Sequence, residues 1–130
     1  MPKYQFRVNV TPRYLPEQSS PEQDLFVFAY TVSVTNVGEI AAQLISRTWN
    51  INDARGHTER VRGLGVIGQQ PLLKPGESFE YTSGTRLHTA TGTMHVSFFC
   101  VAEDGEKFDT DILMFVLDAL SPSGGKRTLH

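Results

Sequence analysis

The sequence contains one cysteine, Cys100, among 130 residues, which leaves no pair for an internal disulfide and no cysteine set for zinc. That usage agrees with a reducing compartment, and we expect a cytoplasmic protein. An N-terminal apolar run and an uninterrupted apolar segment of about 20 residues are both missing, so we expect neither a signal peptide nor a membrane partner. Twelve basic residues against fourteen acidic ones leave no bulk positive charge for nucleic acid.

Helical periodicity is also missing, and alternation of apolar and polar residues with period two takes its place. Such alternation is typical of half-buried strands. Turn signals separate the runs, and Asp104-Gly105 is the strongest hairpin signal. The strands predicted in this way cover about residues 4–10, 26–35, 43–52, 59–62, 79–82, 94–100 and 107–117.

Seven to eight short strands predict an all-β fold in one domain over residues 1–120. A β-sandwich of two antiparallel sheets is the preferred architecture, and a closed barrel is the alternative. Without a cysteine pair, the antibody-type sandwich is disfavoured and the fibronectin type remains open. In the strand over 43–52, we expect the core face to carry Ile45, Trp49 and Ile51. The other face is expected to carry Arg47 and Asn50. Residues 121–130, rich in serine and glycine, predict a flexible C-terminal tail.

The segment Gly63–Gly68 matches the dinucleotide pattern G-x-G-x-x-G. In that motif, glycines let the backbone approach a pyrophosphate and a following helix directs its N–H groups at the charge. Here Gln69-Gln70-Pro71 follows at once, and only three residues separate Pro71 from Pro75. We therefore favour a close-packed loop over a Rossmann-type site.

An intermediate interpretation is an anion site without a helix. Glycine-rich backbone can form a nest of N–H groups, and arginine side chains bind phosphate bidentately. If 59–62 is extended, Arg60 and Arg62 share one face, beside the glycines. Arg47 and Arg55 are further candidates. The alternative is a solvated basic face.

Other chemistry has weaker support in the sequence. His88 and His95 could meet across a hairpin, and Asp109 and Asp111 share one face of a strand, as hard cations would need. A charged face that protects a sheet edge explains the aspartates as well. Cys100 lies on an apolar strand face and is expected to be a core thiol. We expect no metal site, no cofactor, no catalytic residue and no enzymatic activity.

Several apolar residues fall outside the strand pattern. Phe99 lies on the polar face of its strand, and others lie in predicted loops. Such residues either fold back onto the core or contact a partner. The loop residues are Tyr14, Leu15, Leu64, Val66, Ile67, Leu72 and Leu73.

Blocks of the sequence resemble ApaG proteins over about residues 4–118, and the whole resembles a bacterial stand-alone ApaG protein. The resemblance implies a fibronectin type III-like sandwich and an association with cobalt/magnesium resistance or efflux. ApaG domains fused to eukaryotic F-box and polymerase-interacting proteins imply a binding module, and the family offers no established catalytic residues. The blocks are Arg13–Gln18, Phe28–Thr31, Ala42–Arg47 with Trp49, Val61–Gly84, Gly92–Met94, Val101–Gly105 and Phe108.

Three hypotheses follow. The first is a non-enzymatic protein-interaction module that binds an unknown protein partner. The second is a binder of a small phosphate-containing molecule, a pyrophosphate or nucleotide, at the same place. The third is direct cobalt or magnesium binding through Asp109, Asp111 or the histidines. Edge strands also offer a homodimer contact. The candidate binding residues of the first two are Arg60, Arg62, Gly63, Leu64, Gly65 and Gly68.

Overall fold

The computed structural model describes residues 3–120, without the side chain of Leu113. The flexible tail predicted for residues 121–130 lies outside the described residues. Two short 3₁₀ turns, Pro16–Gln18 and Pro21–Gln23, connect the first two strands. The eight strands are β1 (Phe6–Tyr14), β2 (Phe26–Asn36), β3 (Ala42–Asp53), β4 (Thr58–Leu64), β5 (Leu72–Leu73), β6 (Ser78–Leu87), β7 (Thr91–Ala102) and β8 (Lys107–Asp118).

The strands form two antiparallel sheets, which confirms the predicted fibronectin type III-like sandwich. One sheet has the order β1-β2-β6, and the other has the order β4-β3-β7-β8 with the short β5 also beside β3. β1 contacts β8 along one side of the sandwich. On the other side, β6 and β4 are the edges of their sheets. No helix among residues 3–120 is long and apolar enough to cross a membrane.

The core lies between the sheets, because apolar residues recur at every second position of the central strands. Cys100 is fully buried in it, as predicted, and burial raises the pKa of its thiol to about 12. The largest contributors from β2 and β7 are Phe28, Tyr30, Val32, Val34, Met94, Val96 and Phe98.

A β-bulge at Ile45 changes which face of β3 points inward. The register with β7 shifts between Leu44 and Ser46, and one extra residue moves every later side chain to the other face. The expectation for Arg47 was wrong for a simpler reason, because alternation places residue 47 on the same face as Trp49. Its guanidinium carbon lies 5.1 Å from the centre of the Trp49 ring, on the inner face. Residues two apart in a strand share a face, and the bulge leaves that rule intact from residue 46 onward.

The Asp104-Gly105 hairpin forms as predicted. Gly105 has φ +93° and donates its N–H to Ala102 O at 2.9 Å. At its tip, the Tyr4 hydroxyl donates to Asp104 Oδ2 at 2.5 Å. That bond raises the pKa of Tyr4 to about 12 and lowers the pKa of Asp104 below its ordinary value. The hairpin is thereby tied to the start of the chain.

Candidate functional site

The outer face of the five-stranded sheet carries polar side chains in rows that cross four strands. In one row, Thr48 of β3 lies between Arg62 of β4 and Ser97 of β7. The next rows place Asn50 between Arg60 and His95, and Ser46 between Leu64 and Phe99. These rows line a shallow groove of about 660 Å³, here called the outer groove. Its lining includes Ser46, Thr48, Asn50, Arg60, Arg62, Leu64, His95, Ser97, Phe99 and Asp109.

Arg60 and Arg62, the two exposed arginines of the outer groove, have no charged partner within residues 3–120. The ion pair that the structure shows within residues 3–120 joins Arg55 to Asp24, at 3.5 Å. Asp109 and Asp111 stand on β8, three strand spacings from Arg60 and Arg62, which is about 14 Å. At that distance, salt screens much of the attraction between exposed charges. One side of the face is therefore positive and the other negative.

Apolar surface lies directly beside these arginines. Leu64 is 75% exposed and is the last residue of β4, so it belongs to a strand and not to a loop. Phe99 is half-buried and lines the same groove from β7. An exposed aliphatic side chain next to unpaired cations is a combination found at binding surfaces.

The loop after β4 uses its backbone donors internally. Gly65 N donates to Ile45 O at 2.7 Å, and Gln69 N donates to Val66 O at 3.0 Å. Val66 N returns a bond to Gln69 O at 2.7 Å, so Val66–Gln69 is a tight turn with positive φ at Ile67 and Gly68. Three amides that an anion nest would need are therefore already bonded.

Each glycine of the G-x-G-x-x-G pattern has a structural explanation. A Cβ at Gly63 would lie 3.1 Å from the Arg47 guanidinium, which packs against this position. Arg47 Nη1 donates to Leu64 O at 3.0 Å and to Gly65 O at 2.6 Å. Gly65 and Gly68 adopt φ +62° and +79°, and a Cβ at Gly65 would meet Gln69 O at 2.2 Å. The pattern therefore fits a loop fastened by Arg47.

The structure brings some of the predicted binding residues together and separates others. Arg60, Arg62, Gly63 and Leu64 line the outer groove. Gly65 is buried beneath the turn and Gly68 is at its exposed tip, and neither lines the groove. Of the apolar residues predicted to lie in loops, Tyr14, Leu72 and Leu73 lie in strands, as Leu64 does. Buried members are Leu15, Val66 and Leu73, the half-buried member is Tyr14, and exposed members are Leu64, Ile67 and Leu72.

The predicted metal-ligating residues are spread over different surfaces. His95 lines the outer groove, whereas His88 lines a separate groove with His57, and its Nδ1 lies 3.2 Å from Asp24 O. Asp109 and Asp111 share the outer face of β8, as predicted. Within residues 3–120, no three His, Cys, Asp or Glu side chains come together in a way that could hold a metal ion.

Sequence reasoning missed a group of four polar side chains at the open side of the sandwich, between β6 and β4. We call Tyr30, Arg47, Trp49 and Tyr81 the buried donor cluster. Tyr30 Oη, Arg47 Nε, Trp49 Nε1 and Tyr81 Oη are buried and make no hydrogen bond to residues 3–120. Aromatic residues at alternate positions predict core packing, and nothing in that pattern reveals that their polar atoms meet.

The fold and the groove define a small fibronectin type III-like β-sandwich with a charged outer face. A family model described as the ApaG domain matches residues 16–102. Protein ApaG of Acidovorax sp. (strain JS42) is 64% identical over 124 residues, which cover 94% of this chain and 90% of that protein. Protein ApaG of Ralstonia nicotianae is 55% identical over 117 residues, covering 90% and 94% of the two chains. This chain belongs to the ApaG family.

A solved structure agrees with that assignment. The crystal structure titled as a putative ApaA protein from Bordetella pertussis superposes with a TM-score of 0.89 at 54% identity, covering 92% of this chain and 97% of that one. A second X-ray structure, 41% identical, has a TM-score of 0.83 over 96% of this chain and 93% of its own. The similarity therefore extends through both sheets.

Proposed function

We propose that this protein is a non-enzymatic interaction module of the cytoplasm that binds an acidic segment of a partner protein in the outer groove. The observation that carries the proposal is that one groove contains both the exposed Leu64 and two exposed arginines. Leu64 is 75% exposed, and Arg60 and Arg62 have no counter-charge within residues 3–120. A partner with carboxylates and an aliphatic side chain would complement both features. Arginine provides the geometry for bidentate carboxylate recognition.

The shape of the surface also favours a protein segment. Arg60 and Arg62 alternate with Val61 along β4, so their side chains project from one face about 7 Å apart. An extended peptide has the same two-residue repeat and can align alternate carboxylates with the arginines. The groove is open and shallow, which suits an extended chain better than an enclosed small ligand.

A small phosphate-containing ligand is the second candidate, because the same arginine pair would bind it. The loop contributes less to this proposal than its sequence pattern implies, since the amides of Gly65, Val66 and Gln69 bond to carbonyls. For the family's cobalt and magnesium association, we propose an indirect route through the partner. Asp109 and Asp111 offer two carboxylates, fewer ligands than hard cations take.

The test uses two fluorescent peptides of equal length, one with alternating glutamate and leucine and one with lysine in place of glutamate. We expect saturable anisotropy with the acidic peptide alone. The Arg62→Ala/Leu64→Ala variant should weaken binding at least about tenfold, because it removes a cation and an apolar contact. Arg7→Ala/Met114→Ala, an equal change outside the groove, should bind as the wild type does. Equal affinity for both peptides, or an unaffected Arg62→Ala/Leu64→Ala variant, would contradict the proposal.

A further inference from the structure

The buried donor cluster contains four hydrogen-bond donors that find no acceptor in residues 3–120. Tyr30 is fully buried and Tyr81 is 4% exposed, and both hydroxyls are unpartnered. Buried polar atoms in native proteins are almost always bonded, since an unpaired donor forfeits its hydration. Four such atoms in one region of a small domain therefore call for a shared explanation.

The four side chains are neighbours. Tyr30 packs edge-to-face on Trp49, with ring centres 5.5 Å apart, and Arg47 lies over the other part of the same indole at 5.1 Å. Tyr81 lies on the strand next to Tyr30, opposite Val32, so the two tyrosines are diagonal neighbours on the inner face. Ser83 approaches the Tyr30 hydroxyl without completing a hydrogen bond. The four side chains thus form one contiguous group between the sheets.

The cluster has more hydrogen-bond donors than acceptors. Arg47 Nε and Trp49 Nε1 can only donate, and each tyrosine hydroxyl has a proton to donate. Burial raises the pKa of Tyr81 to about 12 and that of Tyr30 further, so both phenols keep their protons at neutral pH. Arg47 uses Nη1 for two carbonyls and has no carboxylate partner within residues 3–120. The cluster therefore combines a positive charge with four donors, and only the two phenol oxygens can also accept.

We propose that the cluster is a binding site for one carboxylate group, which accepts hydrogen bonds from Arg47, Trp49 and the two tyrosines. A carboxylate has about four lone-pair sites, whereas a water molecule accepts only two bonds and must donate the others. Its negative charge also compensates the guanidinium, which water does not. Arg47 also lines the outer groove, but this site uses neither Arg60 nor Arg62 and does not depend on the proposed function.

Access comes from the open side of the sandwich. Arg47, Trp49 and Ser83 are half-buried, and β4 and β6 are sheet edges there. The four polar atoms are themselves buried, so a free small carboxylate or the side chain of a glutamate on another protein would have to displace neighbouring side chains on this side to reach them. Both sources present the same group to the same donors, so the experiment has an arm for each.

Trp49 is the sole tryptophan of the chain, so its indole N–H gives one unambiguous NMR signal. The probes are sodium formate, a capped Gly-Glu-Gly peptide and, at matched ionic strength, sodium chloride. We expect saturable shifts of the Trp49 indole and Arg47 Nε–H signals with formate. A response to the peptide as well assigns a side-chain source, and a response to formate alone assigns a free carboxylate.

Tyr81→Phe and Tyr30→Phe each remove one donor and keep the ring. Each should weaken formate binding about tenfold, as for loss of a hydrogen bond to a charged group. Tyr14→Phe, a half-buried tyrosine outside the cluster, is the matched control and should leave the affinity unchanged. Linear shifts without saturation, equal shifts with chloride, or affinity unaffected by both cluster variants would overturn the carboxylate site.

Discussion

β4 and the loop that follows it are consecutive in the sequence, yet they use their polar groups in opposite ways. On β4, Arg60 and Arg62 point away from the core and have no charged partner within the described chain. In the loop, the N–H groups of Gly65, Val66 and Gln69 bond to carbonyls of the same domain. The strand can therefore offer hydrogen bonds to a ligand, whereas these loop amides first have to break existing ones.

The contrast shows what a glycine-rich motif requires beyond its spacing. Glycines allow a ligand to approach the backbone, but they equally allow the protein's own side chains and carbonyls to do so. Here Arg47 occupies the space above Gly63, and Gln69 O occupies the space above Gly65. The motif serves internal packing, and the neighbouring Arg60 and Arg62 remain exposed.

The largest effect should come from Gly65→Ala. The new Cβ would meet Gln69 O at 2.2 Å in a backbone with φ +62°, and we expect a loss of about 2–4 kcal/mol in the free energy of unfolding. Gly68→Ala is the matched control, because its φ is also positive but nothing lies within 4 Å; it should cost about 1 kcal/mol. Urea denaturation measures both. Equal losses of unfolding free energy in the two variants would show that Gly65 does not pack closely against Gln69 O.

The next effect separates the two kinds of arginine. Arg47→Met removes the bonds to Leu64 O and Gly65 O, and should cost about 1.5–3 kcal/mol of stability. Arg62→Met changes an exposed strand position and should stay within about 0.5 kcal/mol of the wild type. Thermal unfolding of the two variants in parallel makes the comparison. If Arg62→Met lowered the stability and Arg47→Met did not, Arg62 and not Arg47 would be the structural arginine.

The smallest effect concerns a bonded pair at the surface, Tyr4 and Asp104. The pKa of Tyr4 is raised from 10.0 to about 12, so its contribution to stability is complete below pH 10 and is lost as pH rises towards 12. The pKa of Asp104 is lowered, so its contribution is present above its ordinary pKa and is lost as pH falls through the folded value.

Tyr4→Phe should therefore raise the Asp104 pKa towards the ordinary value, as followed by NMR titration of the carboxyl carbon. Glu103, an exposed neighbour, serves as the internal reference. An Asp104 pKa that does not change in Tyr4→Phe would mean that the hydroxyl does not determine it.

Alternation along the chain predicted most of the strands and the common face of Arg60 and Arg62, because the side-chain period of a strand is local. The same period places Arg47 on the face of Trp49, against the expectation, but it does not show what Arg47 contacts. Its environment depends on the bulge at Ile45 and on β4, paired through a register that spans sixteen residues from Arg47 to Gly63. A local sequence pattern does not reveal such long-range pairing. The G-x-G-x-x-G spacing consequently left the role of its glycines open.

The buried donor cluster illustrates the same limit. Tyr30 and Tyr81 come from adjacent strands of one sheet, and Arg47 and Trp49 come from the facing sheet. Each residue alone is typical of a core strand. Only the packing of the two sheets places their polar atoms together.

The most direct test of the central claim is an amide-resolved NMR titration of the labelled protein with the acidic peptide and, separately, with pyrophosphate. The account predicts saturable shifts along β4 and its neighbours, at Arg60, Arg62, Leu64 and Phe99, and little change at Gly65–Gly68. Shifts confined to Gly65–Gly68, most of all under pyrophosphate, would contradict it and return the binding function to the glycine loop.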